Sequence, residues 1–76
     1  MNEIEVAAGA AIAAQSAAHV AYKRCQDEQQ YFMDGTRAKT CANANARKLH
    51  EAVALMEKAT RLLLDARDRQ ARMLDA

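Results

Sequence analysis

The chain has 76 residues, no proline, two glycines, and eleven basic against ten acidic side chains, for a net charge of +1. That length allows one domain at most. A composition that is 51% hydrophobic and only mildly charged excludes a disordered polyion. Alanine, leucine, methionine, glutamine and charged residues dominate, so the expected class is all-α.

The first element is expected over about residues 3–33. Its core is Val6–Tyr22, a stretch with nine alanines and no charge. Ile4, Ala7, Ala11, Ala14, Ala18, Ala21 and Cys25 recur at alternating steps of three and four, the spacing of a heptad seam. A seam of small side chains lets a second helix approach closely, and Phe32 extends it toward the end of the helix. The stretch holds Gln15, Ser16 and His19 and is preceded by Glu3 and Glu5 rather than by basic residues. A secretory leader needs a basic flank, and a spanning helix needs about 20 strongly apolar residues. The expected setting is therefore cytoplasmic, with no membrane partner. Gly9 interrupts the alanines and forms a small-xxx-small pair with Ala13, which favours a further close helix contact.

The pattern breaks at Asp34-Gly35-Thr36. Glycine is favoured just past a helix end because it takes the left-handed conformation without a Cβ clash. The Thr36 hydroxyl can then cap the following helix. A turn of residues 34–36 is too short for anything but an antiparallel hairpin.

The second element is expected over about residues 37–74. Leu49, Val53, Met56, Thr60 and Leu63 form one seam, continued through Gln70 to Leu74. Ala52, Leu55, Ala59, Leu62, Ala66 and Met73 form another beside it. The opposite face carries His50, Glu57, Lys58, Arg61, Asp65, Asp68, Arg69 and Arg72. There Glu57–Arg61, Arg61–Asp65, Asp65–Arg69 and Asp68–Arg72 have the spacing of i,i+4 ion pairs. One partner helix covers one seam, so two seams need two partners. A two-helix chain also has little interior, and small scaffolds without staples usually oligomerise. The expected architecture is an antiparallel two-helix hairpin that dimerises into a four-helix bundle. Its core and dimer interface are expected to include Ile4, Ala7, Ala11, Ala14, Ala18, Cys25, Phe32, Leu49, Val53, Met56 and Leu63.

The sequence offers chemistry little purchase. A hairpin turning at Gly35 would bring His19 and His50 nearly level, but two imidazoles fall short of the three or four ligands of a zinc site. Cys25 and Cys41 have no metal or redox spacing, and an intrachain disulfide would require the turn to lie nearer Met33. Ser16 is the only serine and sits mid-helix, and there is no phosphate-binding glycine loop. No enzymatic activity, metal or cofactor is expected. Residues 22–48 carry six basic and three acidic side chains. Around the turn, Lys23, Arg24, Tyr31, Arg37 and Lys39 form a candidate partner surface. The expected function is a non-enzymatic protein-interaction module, an adaptor or inhibitor of a larger machine, in the manner of many short helical proteins of phages and mobile elements. The alternative is a nucleic-acid-binding regulator that uses the basic residues between Lys23 and Lys48. In shape it would be similar to ROP-type helical-hairpin dimers, whose bundle face contacts RNA. Both comparisons are of architecture alone.

Overall fold

The computed structural model describes residues 2–75. Helix α1 spans Glu3–Tyr31 and helix α2 spans Arg37–Asp75. The two pack against each other as an antiparallel hairpin measuring 61 × 17 × 14 Å.

Each helix start has a side-chain cap. Asn2 Oδ1 accepts from the amides of Ile4 at 2.8 Å and Glu5 at 3.4 Å, and Glu3 and Glu5 place negative charge in the first turn of α1. Asn2 followed by an acidic first turn is a local start signal for α1. Thr36 caps α2 as expected: its Oγ1 accepts from the Lys39 amide at 3.1 Å and donates to the Met33 carbonyl at 2.6 Å.

The end of α1 differs from expectation. The helix stops at Tyr31, and Phe32 follows in an extended conformation while its amide still donates to the Glu28 carbonyl. Gly35, at φ +82°, therefore serves the reversal between the helices and is not the helix cap itself. Its left-handed conformation sits two residues beyond Met33, the position just past the cap where a helix-terminating glycine would stand.

Three contacts fix the register of the hairpin. The Gln29 amide donates to Asn43 Oδ1 at 2.9 Å. The Tyr22 and His50 rings pack with centroids 5.4 Å apart. Asn2 donates to Gln70 Oε1. All three pairs are symmetric about Thr36, so α2 runs on past Asn2 from residue 71. This centre moves the histidines out of level, by about 4.5 Å along the axis at 1.5 Å per residue. It moves the cysteines further apart, to about 9 Å out of level, and both are free thiols.

The inward seam of α1 also differs from expectation. Ala8 is its one buried residue, and Ile4, Ala11, Gln15, Ala18, Tyr22, Cys25, Gln29 and Phe32 are half-buried along the same line. Every second position is thus shifted by one residue from the expected Ala7, Ala14 and Ala21. Ala7 and Ala21 are half-buried at the edge of the contact, and Ala14 is exposed. The physical reason is the size of what α2 offers. An alanine-only line buries little area, whereas Gln15, Tyr22 and Gln29 bring methylenes and a ring to the contact and keep their polar ends at its rim. The expected α2 seam is found: Val53 and Thr60 are buried, and Leu49, Met56, Leu63 and Gln70 are half-buried. Ala42 and Ala46 extend it toward the turn, where they are buried as well. Leu74 remains 79% exposed because α1 has already ended at that level.

A candidate interaction face on the hairpin

The hairpin core is thin. Among the described residues the buried apolar ones are Ala8, Ala42, Ala46 and Val53, and no large side chain is fully buried. Most of the apolar surface of the chain therefore stays in solvent, and its placement is not random.

At 100° per residue, the register fixed by the three pairs gives the rod two distinct long sides. One side carries His19 from α1 with His50, Glu57, Arg61 and Asp68 from α2. A shallow groove along it is lined by Gln15, Ser16, His19, Val20, Val53 and Glu57. The other side carries Ala7, Ala14 and Ala21 from the edge of α1 with the second seam of α2. On that seam Leu55 and Leu62 are 62% and 61% exposed, Met73 is exposed, and Ala59 is exposed between half-buried Ala52 and Ala66. At its open end lies an apolar groove formed by Ile4, Ala66, Gln70, Met73 and Leu74 with the edge of Arg69.

The two helices are apolar at the same height. Residues 6–20 of α1 stand level with residues 66–52 of α2. The uncharged stretch of α1 therefore lies beside the part of the second seam that holds no charge. Together they make an apolar face about 21 Å long. The second seam was legible in the sequence. Its alignment with the uncharged part of α1 depends on the register, which periodicity alone does not supply.

The charged side is less paired than its spacing suggests. Among the described residues the ion pairs are Lys39–Asp34 at 3.7 Å and Arg67–Asp68 at 3.8 Å, and none of the four i,i+4 pairs of α2 is among them. Arg72 Nε instead donates to the Asp68 carbonyl at 3.4 Å. These are solvated charges, each worth little to stability.

The residues expected at the turn do not form one patch. Lys23 and Arg24 are exposed but lie about 10–12 Å down α1 from Tyr31. Tyr31 is 83% exposed and meets Phe32 edge-on at 5.4 Å. Arg37 is exposed at the start of α2. Lys39 is committed inward: its ammonium donates to the Gln29 carbonyl and lies near Asp34, so it braces the turn. Met33 is 77% exposed, two residues beyond Tyr31.

Among the described residues no group of three or more His, Cys, Asp or Glu is placed to hold a metal ion. Helix α1 is long and apolar enough, by length and composition, to cross a membrane. No family model, curated protein or solved structure matches the chain.

Proposed function

We propose that this protein is a non-enzymatic interaction module, a helical hairpin that homodimerises into a four-helix bundle and binds another protein as an adaptor or inhibitor. The observation that carries the reading is the uncovered apolar face, set against a hairpin core of three alanines and one valine. Monomers seldom leave a large contiguous apolar patch in water, and such a patch marks an association surface. Burying it adds about 25 cal/mol per Å² of apolar area, on a scaffold too small to be stable from its own interior.

The same face argues for a soluble bundle over a membrane-embedded α1. Alanine gains little from lipid, the stretch includes Gln15, Ser16 and His19, and α2 lies along it with a fully charged side. The cytoplasmic, lipid-free setting belongs to this proposal. The nucleic-acid alternative is less favoured, because Lys23, Arg24, Arg37 and Lys48 are spread along and around the rod and Lys39 is engaged at the turn.

The turn end, with Tyr31, Met33 and Arg37, is the proposed contact for the second protein. Sedimentation equilibrium tests the first half of the proposal and should give twice the 8.4 kDa chain mass. A monomer at tens of micromolar overturns the bundle. Affinity capture compared between the native chain and an Arg37→Glu variant tests the second half. A partner lost with the substitution supports the turn as the contact. Binding of RNA that weakens steeply with salt moves the function to the alternative class.

A further inference from the structure

The uncovered face has a pattern finer than apolarity, and it bears on how two copies meet. This inference rests on the dimeric reading above. On this face α1 presents only alanine at its edge, Ala7, Ala14 and Ala21, whereas α2 presents Leu55, Leu62 and Met73. One half of the face is low and the other is high.

Two different two-fold axes can lay such faces together. An axis perpendicular to the rod sets α1 on α1 and α2 on α2. Alanine then meets alanine and leucine meets leucine. Helix separation follows the side chains at the contact, within about 8–10 Å, so leucines holding the α2 pair apart would leave a gap between the α1 pair. Close-packed interiors do not keep such gaps. An axis along the rod sets each α1 on the partner's α2 at the same height, so every leucine meets an alanine and the layers interdigitate. It also brings residues 6–20 against the uncharged second-seam positions Ala52, Leu55, Ala59, Leu62 and Ala66 of the other copy.

Charge agrees with the second arrangement. Asn2 pairs with Gln70 within one hairpin, so Glu3 stands level with Arg69. Across an axis along the rod, Glu3 meets the partner's Arg69, and Glu28 lies within about one turn of the partner's Lys48. The area is adequate as well. The whole broad side of a rod 61 × 17 Å offers about 1,000 Å² before surface relief, about a third of it in the apolar face and the rest in its polar flanks, against the roughly 800 Å² per partner of a stable interface.

We infer that the dimer two-fold runs along the rod, with the alanine edge of each α1 on the leucine seam of the partner's α2. Both turns then lie at one end, and the two copies of Tyr31, Met33 and Arg37 form a single composite surface. This makes the turn end bivalent from one side, where the other axis would place the two contacts at opposite ends.

The exposed thiol of Cys41, near the turn, reports the difference. A Cys25→Ala variant spin-labelled at Cys41, with helicity checked by circular dichroism, should give an inter-label distance within about 25–30 Å, set by the bundle diagonal of about 11–14 Å that adjacent helices 8–10 Å apart produce, plus label arms. An axis perpendicular to the rod and centred on the apolar zone separates the labels by about 54 Å, and that result overturns the inference while leaving the dimer intact. A monomeric mass for the labelled protein overturns both. A size swap in the otherwise native chain gives independent evidence. Ala14→Leu should weaken dimerisation about tenfold or more by overpacking, and adding Leu62→Ala should recover most of the loss. No recovery overturns the arrangement, since only an axis along the rod brings Ala14 within about one helical turn of the partner's Leu62.

Discussion

The half of the rod near the turn and the half near the chain ends are held together by different means. Near the turn, polar side chains specify the pairing: Gln29 with Asn43, Tyr22 against His50, Lys39 on the Gln29 carbonyl and Thr36 as cap. Ala42 and Ala46 are buried there, so the helices approach closely under those contacts. Toward the open end the Asn2–Gln70 pair is the one directional interhelix contact among the described residues. The contact there is mostly apolar, with Ile4, Ala8, Ala11, Val53, Met56 and Leu63, and Leu55 and Leu62 are left in solvent. Directional contacts fix register, and undirected apolar area supplies stability. The turn half is thus specified by its own chain, and the open half has the uncovered apolar surface that the proposed second copy would cover.

The largest expected effect comes from charging the open half. Leu62→Glu places a carboxylate in the proposed interface, where an unpaired buried charge costs about 3–5 kcal/mol. It should convert the dimer to monomer in sedimentation and lower the thermal midpoint by more than 10 °C. Arg61→Ala, one residue away on the charged side, should change stability by less than about 0.5 kcal/mol. Equal effects of the two substitutions would dissolve the distinction between the sides of the rod.

The turn half has its own point of failure, smaller in size. Gly35 sits at φ +82° with open space around an added Cβ. Gly35→Ala therefore meets only backbone strain, about 1–2 kcal/mol, and should lower the midpoint by several degrees at any protein concentration. An effect that vanishes at high concentration would instead tie the turn to assembly.

The comparison also explains what could be read from the residues alone. Both helices, the turn and the Leu49–Leu63 seam follow from periodicity and from Gly35 and Thr36, because those signals are local. Ala7, Ala14 and Ala21 lie at the edge of the α2 contact and not at its centre, and periodicity alone does not separate a seam facing α2 from one facing a second chain. Nearly every position from Val6 to Val20 is apolar or small, so composition does not mark which line faces the partner. Gln15, Tyr22 and Gln29 read as polar residues, and their place at the contact depends on Asn43 and His50, far along the chain. The heights of His19 and His50 failed for the same reason, since the centre of the hairpin is set by these tertiary pairs and lies at Thr36. Periodicity gave Leu55 and Leu62 as a second seam, and the register shows that seam aligned with the uncharged half of α1.

Thr60 is a sharper probe of the open half. It is 6% exposed, and its Oγ1 has no hydrogen-bond partner among the described residues. A buried hydroxyl without a partner costs about 1–3 kcal/mol of lost hydration. Thr60→Val keeps the shape and removes that cost, so it should raise stability by about 1 kcal/mol with the oligomeric mass unchanged. A loss of stability would mean that the hydroxyl turns to the carbonyl one helical turn back, and that the open half contains a directional contact after all.

Gly9 carries the smallest effect and separates two ideas about the alanine-rich helix. Its spacing to Ala13 suits a close helix contact in which any added atom clashes. In the hairpin, however, Gly9 is exposed, and a Cβ built there meets nothing within 4 Å. It lies away from both α2 and the Ala7–Ala14–Ala21 edge. Gly9→Ala should therefore act only through helix propensity, adding about 0.5–1 kcal/mol, with no change in the sedimentation mass. If the substitution weakens the dimer, the back of α1 is the interface and the apolar side shared with α2 is not. The two outcomes have opposite signs, so one thermal melt and one mass measurement on a single variant decide which face of the alanine helix meets the second copy.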